Sequence, residues 1–258
     1  MASLRHAVFE QHGPNLPPDL KVDSRLDVFK LFWSDYLEEE QLERTRQREE
    51  PNGTRIPNKE DLHRFLIAGL LMCITTRPDY RKHWSKDDMY SNNLLPKIIS
   101  RDKFDWILSS LHPDPHTMQT ALDSHFRRYW IPEQHVVVDE GLVCFKGRYR
   151  HRVHIRGKPD ATGLKMYSLA DGLGYLWSFW QYDGETSTVP EIVEGFLDKL
   201  PSNHYKVYVD SWYGSEQLAL NLHQQGFLFT MGCGKNKSAE LFDKFLDVQL
   251  AAHQARYV

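Results

Sequence analysis

The apolar period of this chain changes once, and that change constrains its fold more than any other feature. Up to about Tyr129 apolar residues recur at helical spacing. After Trp130-Ile131-Pro132 they alternate or run together, as strands require. Three segments follow: a loose, polar, proline-containing tail over 1–24, a helical region over 25–132, and an α/β region over 133–258. In the helical region Val28, Leu31, Phe32 and Tyr36 keep helix spacing. Past the break between Pro51 and Pro57, Asn58 caps a second helix whose apolar face reads Phe65, Leu66, Gly69, Leu70, Cys73 and Ile74. Ser100 caps a third, which buries Phe104, Ile107, Leu108 and Leu111 and is stopped by Pro113 and Pro115.

The second region reads as strands over 135–145, 165–170 and 175–182, with Asp171-Gly172 turning between the last two. A helix over 191–200, a strand over 205–209, a helix over 215–225 and a strand over 227–231 complete it. Three strands, a helix, a strand, a helix and a strand match the ribonuclease H-like layout. The expected fold is thus α/β, an incomplete ribonuclease H-like mixed sheet with helices, preceded by a mainly α-helical domain. In that layout the first and fourth strands are neighbours, and they are read as ending in Asp139 and Asp210. Two carboxylates held within a few ångströms repel unless a cation lies between them, and Mg²⁺ held there polarises a phosphodiester.

A basic segment follows Asp139 closely. Lys146, Arg148, Arg150, Arg152, Arg156 and Lys158 put a charge of +6 into a window without Asp or Glu, in a chain whose net charge is −3. The first four fall at every second residue, so on a strand they share a face that can follow a phosphate backbone; the alternative is a charged edge strand that blocks aggregation. No window reaches the roughly 20 apolar residues of a membrane span, and the first residues lack a signal-peptide core. A protein that is soluble and not secreted is expected, without a membrane partner. Cys73, Cys144 and Cys233 are far apart and read as reduced packing residues, so neither a disulfide framework nor a zinc site is recognised. His151 and His154 sit among arginines and read as exposed or nucleic-acid-contacting, not as metal ligands. Trp177 and Trp180 are placed on opposite faces of one strand, and Trp212 and Tyr213 either wall the cleft or seal the sheet end.

Particular blocks go further. Val138-Asp139-Glu140-Gly141-Leu142-Val143 with Phe145-Lys146-Gly147-Arg148, then Lys158-Pro159, Gly163-Leu164-Lys165 and the Asp171 turn before Gly174-Tyr175, resembles the piggyBac transposase family. Tyr208-Val209-Asp210-Ser211-Trp212-Tyr213-Gly214-Ser215 resembles a second block of that family, and Gly232 to Lys237 a divergent form of the basic turn after its fifth strand. His83 to Asp87 and Ser100 to Phe104 resemble its helical DNA-binding and dimerisation region.

The resemblance implies that Asp139 and Asp210 are two of three catalytic, metal-binding aspartates that use Mg²⁺ or Mn²⁺ to cut DNA and join its ends to a target. It implies nucleic-acid contacts at Lys146, Arg148, Arg150, Arg152, Arg156, Lys158, Lys235 and Lys237, double-stranded transposon-end DNA as partner, homodimerisation, and a nuclear location. The family's third Asp lies beyond an inserted β-rich region and has no counterpart before Val258, so impaired catalysis is expected of this chain. Glu240, Asp243 and Asp247 read as a solvated helix face, not as its replacement. The competing readings are a non-catalytic DNA-binding protein domesticated from a transposase, and a nuclease of another ribonuclease H-like group.

Overall fold

The computed structural model describes residues 12–234, apart from 19, 51–52, 54, 88–93, 146, 158–160 and 185–186. Two compact units divide the chain. One is Val22–Leu122; the other is Asp123 onward together with Met1–Lys21.

Helices build the first unit. The run expected to continue through Tyr36 breaks at Trp33 into α1 (Arg25–Phe32) and α2 (Asp35–Glu49), each begun by its own cap, Ser24 and Ser34. α1 buries nothing: Leu26, Val28 and Phe29 are exposed. α3 (Lys59–Ile74) starts where expected, because Asn58 accepts the Asp61 N–H while Asp61 accepts the Asn58 N–H. Its packed face differs from the reading. Leu62 and Ala68 are buried with Phe65, Leu71 and Met72 partly covered, whereas Leu70, Cys73 and Ile74 face outward. A 3₁₀ turn (Tyr80–Trp84) and α4 (Leu95–Ile98) lead to α5 (Arg101–Ser110), capped by Ser100 as expected. Phe104 and Ile107 of α5 join Ala68, Leu95 and Ile99 in one core, with Phe65 stacked on Phe104 at 4.7 Å. Pro115 does not only stop a helix; it begins α6 (Pro115–Arg128), where its missing N–H is harmless, and from Asp123 on that helix belongs to the second unit.

The second unit is a mixed sheet. Gly13–Pro14, read from sequence as loose tail, form β1 and pair with β2 (Trp130–Ile131). β3 (His135–Cys144) runs antiparallel to β5 (Thr162–Asp171) on one side and parallel to β7 (Lys206–Val209) on the other, and β8 (Leu228–Met231) extends the parallel edge. β6 (Leu176–Gln181) and the two-residue β4 (Val153–His154) share the outer edge of β5. The turn into β6 is made by Asp171, whose buried carboxylate accepts the N–H groups of Leu173 and Tyr175 on one oxygen and Trp130 Nε1–H and Glu133 N–H on the other. Gly174 closes it at φ 85°, a conformation that favours glycine.

Alternation on β3 and β7 sends Val136, Val138, Val207 and Val209 inward, where α7 (Val189–Leu197) and α8 (Glu216–Gln224) cover them. α7 contributes Ile192, Val193, Phe196 and Leu197, the one-sided stripe its spacing dictates, and α8 contributes Leu218 and Leu222. Trp177 and Trp180 do not take opposite faces as expected. A register shift between Leu169 and Ala170 turns the strand, so Trp177 is buried while Trp180 stacks on Phe196 at 4.0 Å. The cysteines are free, but Cys73 and Cys144 are exposed and so are not packing residues.

Candidate functional site

Asp139 is the fifth of the ten residues of β3, not its end. What ends there is the parallel ladder with β7, whose last pair is Val138 with Val209; pairing with β5 continues to Cys144. Asp139 and Asp210 therefore come next after the same rung. Neighbouring strands lie about 4.8 Å apart, so backbone register places the two residues on adjacent chains at the same level. Both residues are exposed. Asp139 projects to the face opposite Val138, while Glu140 projects to the core side beside its cross-strand partner Tyr167.

Short local bonds hold each carboxylate. The Glu140 N–H donates to Asp139 Oδ1 at 2.7 Å, and the Trp212 N–H donates to Asp210 Oδ1 at 2.7 Å, an Asx turn that gives the loop after β7 its shape. The Gly214 N–H donates to the Asp210 carbonyl at 3.0 Å, and the Ser168 hydroxyl to the Asp139 carbonyl at 3.2 Å. The donor set is two hard oxygen ligands, which suits Mg²⁺ or Mn²⁺. Among the described residues no group of three or more His, Cys, Asp and Glu is arranged to hold a metal ion. The pair therefore fits part of a coordination sphere, leaving positions for water or substrate oxygens.

Aromatic rings follow Asp210 in the chain and meet the core face beside Glu140. Trp212 stacks on Tyr167 at 6.3 Å, and Lys165 Nζ sits 3.9 Å from the Trp212 ring centroid and 4.8 Å from that of Tyr167. Lys165 stands on the sheet face that carries Glu140, opposite the face of Asp139, so it joins the Trp212 wall and not the carboxylate pair. Of the two residues whose role stood open, Tyr213 is fully buried and seals the sheet end, while Trp212 is 38% exposed and forms a wall. The Tyr213 hydroxyl has no hydrogen-bond partner among the described residues. Burial first, then the charges of Glu140, Asp139 and Asp210, push its phenol far up, so it stays protonated beside these acids. Tyr213→Phe removes an unsatisfied buried hydroxyl and is expected to stabilise the protein by about 1 kcal/mol, seen as a melting temperature about 2 to 4 °C higher. A lower melting temperature would show that the hydroxyl is bonded in the native protein.

The arginine stripe is not a strand face. β3 ends at Cys144, and 147–152 form bends and turns inside the connection to β5, so spacing by two does not align the side chains. Arg148, Arg150 and Arg156 are exposed, and Arg152 is exposed but donates from Nη1 to the Gly147 carbonyl at 3.0 Å. Lys146, Lys158, Lys235 and Lys237 lie outside the described residues, as do Glu240, Asp243 and Asp247. His151 is half-buried with its ring edge-on to Tyr149 and Tyr182, and His154 is exposed with Nδ1 2.9 Å from Thr162 Oγ1.

A mixed sheet with a parallel β3–β7 pair at its centre and helices closing one core is a ribonuclease H-like architecture. It aligns with a cryo-EM structure of the piggyBac transposase synaptic complex with hairpin DNA at a TM-score of 0.74 and 22% identity, over 95% of this chain and 57% of that one. A family profile described as Transposase IS4 matches residues 24–249, and the chain belongs to that family, of piggyBac type. It is 29% identical over 134 residues to piggyBac transposable element-derived protein 3 of Homo sapiens, covering 47% of this chain and 23% of that protein. The same identity and length link it to the chimeric ERCC6-PGBD3 protein of Homo sapiens, of which 13% is covered. The chain thus spans less than a quarter of either curated relative.

Proposed function

We propose that this transposase-derived chain binds double-stranded DNA and that Asp139 and Asp210 hold a divalent cation against a phosphodiester, in the nucleus. The observation that carries this reading is the register of β3 and β7, which brings two exposed carboxylates to one level on adjacent strands. A solved transposase with this fold, in complex with hairpin DNA, supports DNA as the partner. When bound, Mg²⁺ or Mn²⁺ polarises the phosphodiester and stabilises the leaving oxygen. The chain's own groups supply the rest. Asp139 and Asp210 provide anionic ligands, and the Asx turn fixes the second of them.

A nicking assay on terminal-repeat DNA tests the chemistry. Mn²⁺-dependent nicking by the wild type that disappears in Asp210→Ala supports it; nicking that survives in Asp210→Ala overturns it. The second reading, a DNA-binding protein without chemistry, is favoured by the absence of a third metal-binding residue at the pair among the described residues. It predicts duplex binding by wild type and Asp210→Ala alike, with no nicking by either. The basic connection is tested separately. Neutralising the exposed Arg148, Arg150 and Arg156 removes three phosphate contacts and is expected to flatten the log–log salt dependence of duplex binding by roughly 2 to 3. An unchanged slope would exclude these arginines from the interface.

A further inference from the structure

A cleft of about 510 Å³ opens in the sheet unit, lined by Arg127, Arg128, Lys199, Trp130, Trp177 and Asn15 among others. It lies beyond the other end of the parallel strands from the carboxylate pair, because Trp130 and Ile131 precede β3 and Pro201 precedes β7. The four-rung ladder between them places the two regions roughly 13 Å apart or more.

The cations here are built in, not scattered. Asp123, whose side chain is 10% exposed, accepts the Ser178 hydroxyl and the Phe179 N–H on Oδ1, and Arg127 Nε–H (3.1 Å) and Lys199 Nζ–H (3.3 Å) on Oδ2. Lys199 also donates to Ser178 Oγ at 2.9 Å and lies 5.3 Å from the Trp180 ring centroid. Arg127 commits only its Nε to Asp123; neither terminal nitrogen has a hydrogen bond to the described residues. Asn15 Nδ2 donates to the Arg128 carbonyl, pinning the backbone below a guanidinium that is exposed. Arg127 and Lys199 therefore face one carboxylate, which is buried and already saturated with donors, and the exposed Arg128 lines the same cleft without a carboxylate partner among the described residues. No Asp or Glu lines the cleft among the described residues. Burial, the largest influence, holds Lys199 below its ordinary value even with Asp123 beside it, so an added anion would favour its charged form.

We infer that this cleft is a phosphate-binding site, distinct from the carboxylate pair, in which Arg127, Arg128 and Lys199 take a phosphate group and Trp130 offers an aromatic wall beside it. A volume in the range of about 300 to 1,000 Å³ typical of small-ligand sites admits a phosphate with an attached sugar or base. The source assigned to the phosphate is a polynucleotide backbone, and that assignment rests on the DNA-binding function proposed above.

Arg128→Ala is the clean variant, since the exposed guanidinium stacks over Tyr129 but makes no hydrogen bond to the described residues; Lys199→Met reports on the buried cation. The probes are inorganic phosphate followed by calorimetry, and a labelled 20-base-pair duplex followed by fluorescence anisotropy. Each variant is expected to weaken phosphate binding by about tenfold, one charge-assisted hydrogen bond, and Arg128→Ala to weaken duplex binding with a salt slope lower by about 1. Phosphate binding that both variants lose while duplex affinity holds supports the site and assigns it to a small phosphorylated ligand. Wild-type protein that binds phosphate but no duplex sinks the DNA reading and leaves the site standing. Phosphate and duplex binding unchanged in both variants, or no phosphate binding by the wild type, overturns the site.

Discussion

Titrated with Mn²⁺, the wild-type protein is expected to bind one ion weakly, and Asp210→Ala to weaken that binding by at least about tenfold. The expectation of weakness comes from the ligand count. Asp139 and Asp210 are exposed, each has one oxygen taken by a backbone N–H, and water must fill most of the coordination sphere. The expectation of dependence comes from register: with either Asp removed, the carboxylate left where the β3–β7 ladder ends has no neighbour with which to share an ion. Asp139→Ala should behave as Asp210→Ala does, whereas Glu140→Gln should bind as the wild type does, because Glu140 faces the core side of the sheet. A thermal readout carries the same logic. Mn²⁺ raises the melting temperature of a protein that binds it only when folded, so the rise should vanish in both Asp variants. Equal Mn²⁺ affinity in wild type and Asp139→Ala would remove the carboxylate pair from consideration as a metal site.

What could be read from sequence depended on whether local chemistry or tertiary partners decide the outcome. Asn58 and Ser100 were legible as caps because a cap is closed by residues two or three positions away, and the Asp171 turn for the same reason. Three consecutive valines before Asp139 announce a strand but give no polar contrast, so which of its faces is buried, and with it the exposure of Asp139, is seen only once β5 and β7 pair with it. The face of α3 was not legible, because Leu66, Ile67, Leu70, Leu71 and Ile74 leave little polar contrast around the helix. Contact with Leu95, Phe104 and Ile107, all distant in sequence, selects the buried side. The arginine stripe misled because alternation in charge carries no strand information without a pairing partner; β5 begins at Thr162 opposite the end of β3, leaving 147–152 nothing to pair with. The burial of Tyr213 and the gathering of Arg127, Arg128 and Lys199 were equally invisible, since each depends on where separate elements meet.

Gly214→Ala is expected to destabilise the protein by about 3 kcal/mol, lowering its melting temperature by roughly 6 to 12 °C, and to abolish Mn²⁺ binding with it. A methyl group on Gly214 would sit 1.7 Å from the Gly232 carbonyl oxygen and 2.9 Å from its carbon. Both are backbone atoms, so no side chain can swing aside. Nor can the two segments part freely, for the Gly214 N–H is bonded to the Asp210 carbonyl and the Gly232 N–H to the Val209 carbonyl at 3.2 Å. The loop after β7 and the chain leaving β8 cross in contact, and the crossing holds the backbone of Asp210. Opening it by well over an ångström moves the carboxylate away from Asp139, which β3 keeps in place. Gly141→Ala is the control: on the exposed part of β3 its added methyl meets nothing within 4 Å, and its melting temperature should stay within about 2 °C of the wild type. If Gly214→Ala melts with the wild type and binds Mn²⁺ as well, the turn after Asp210 is pliable, and the close crossing at Gly232 does not position the site.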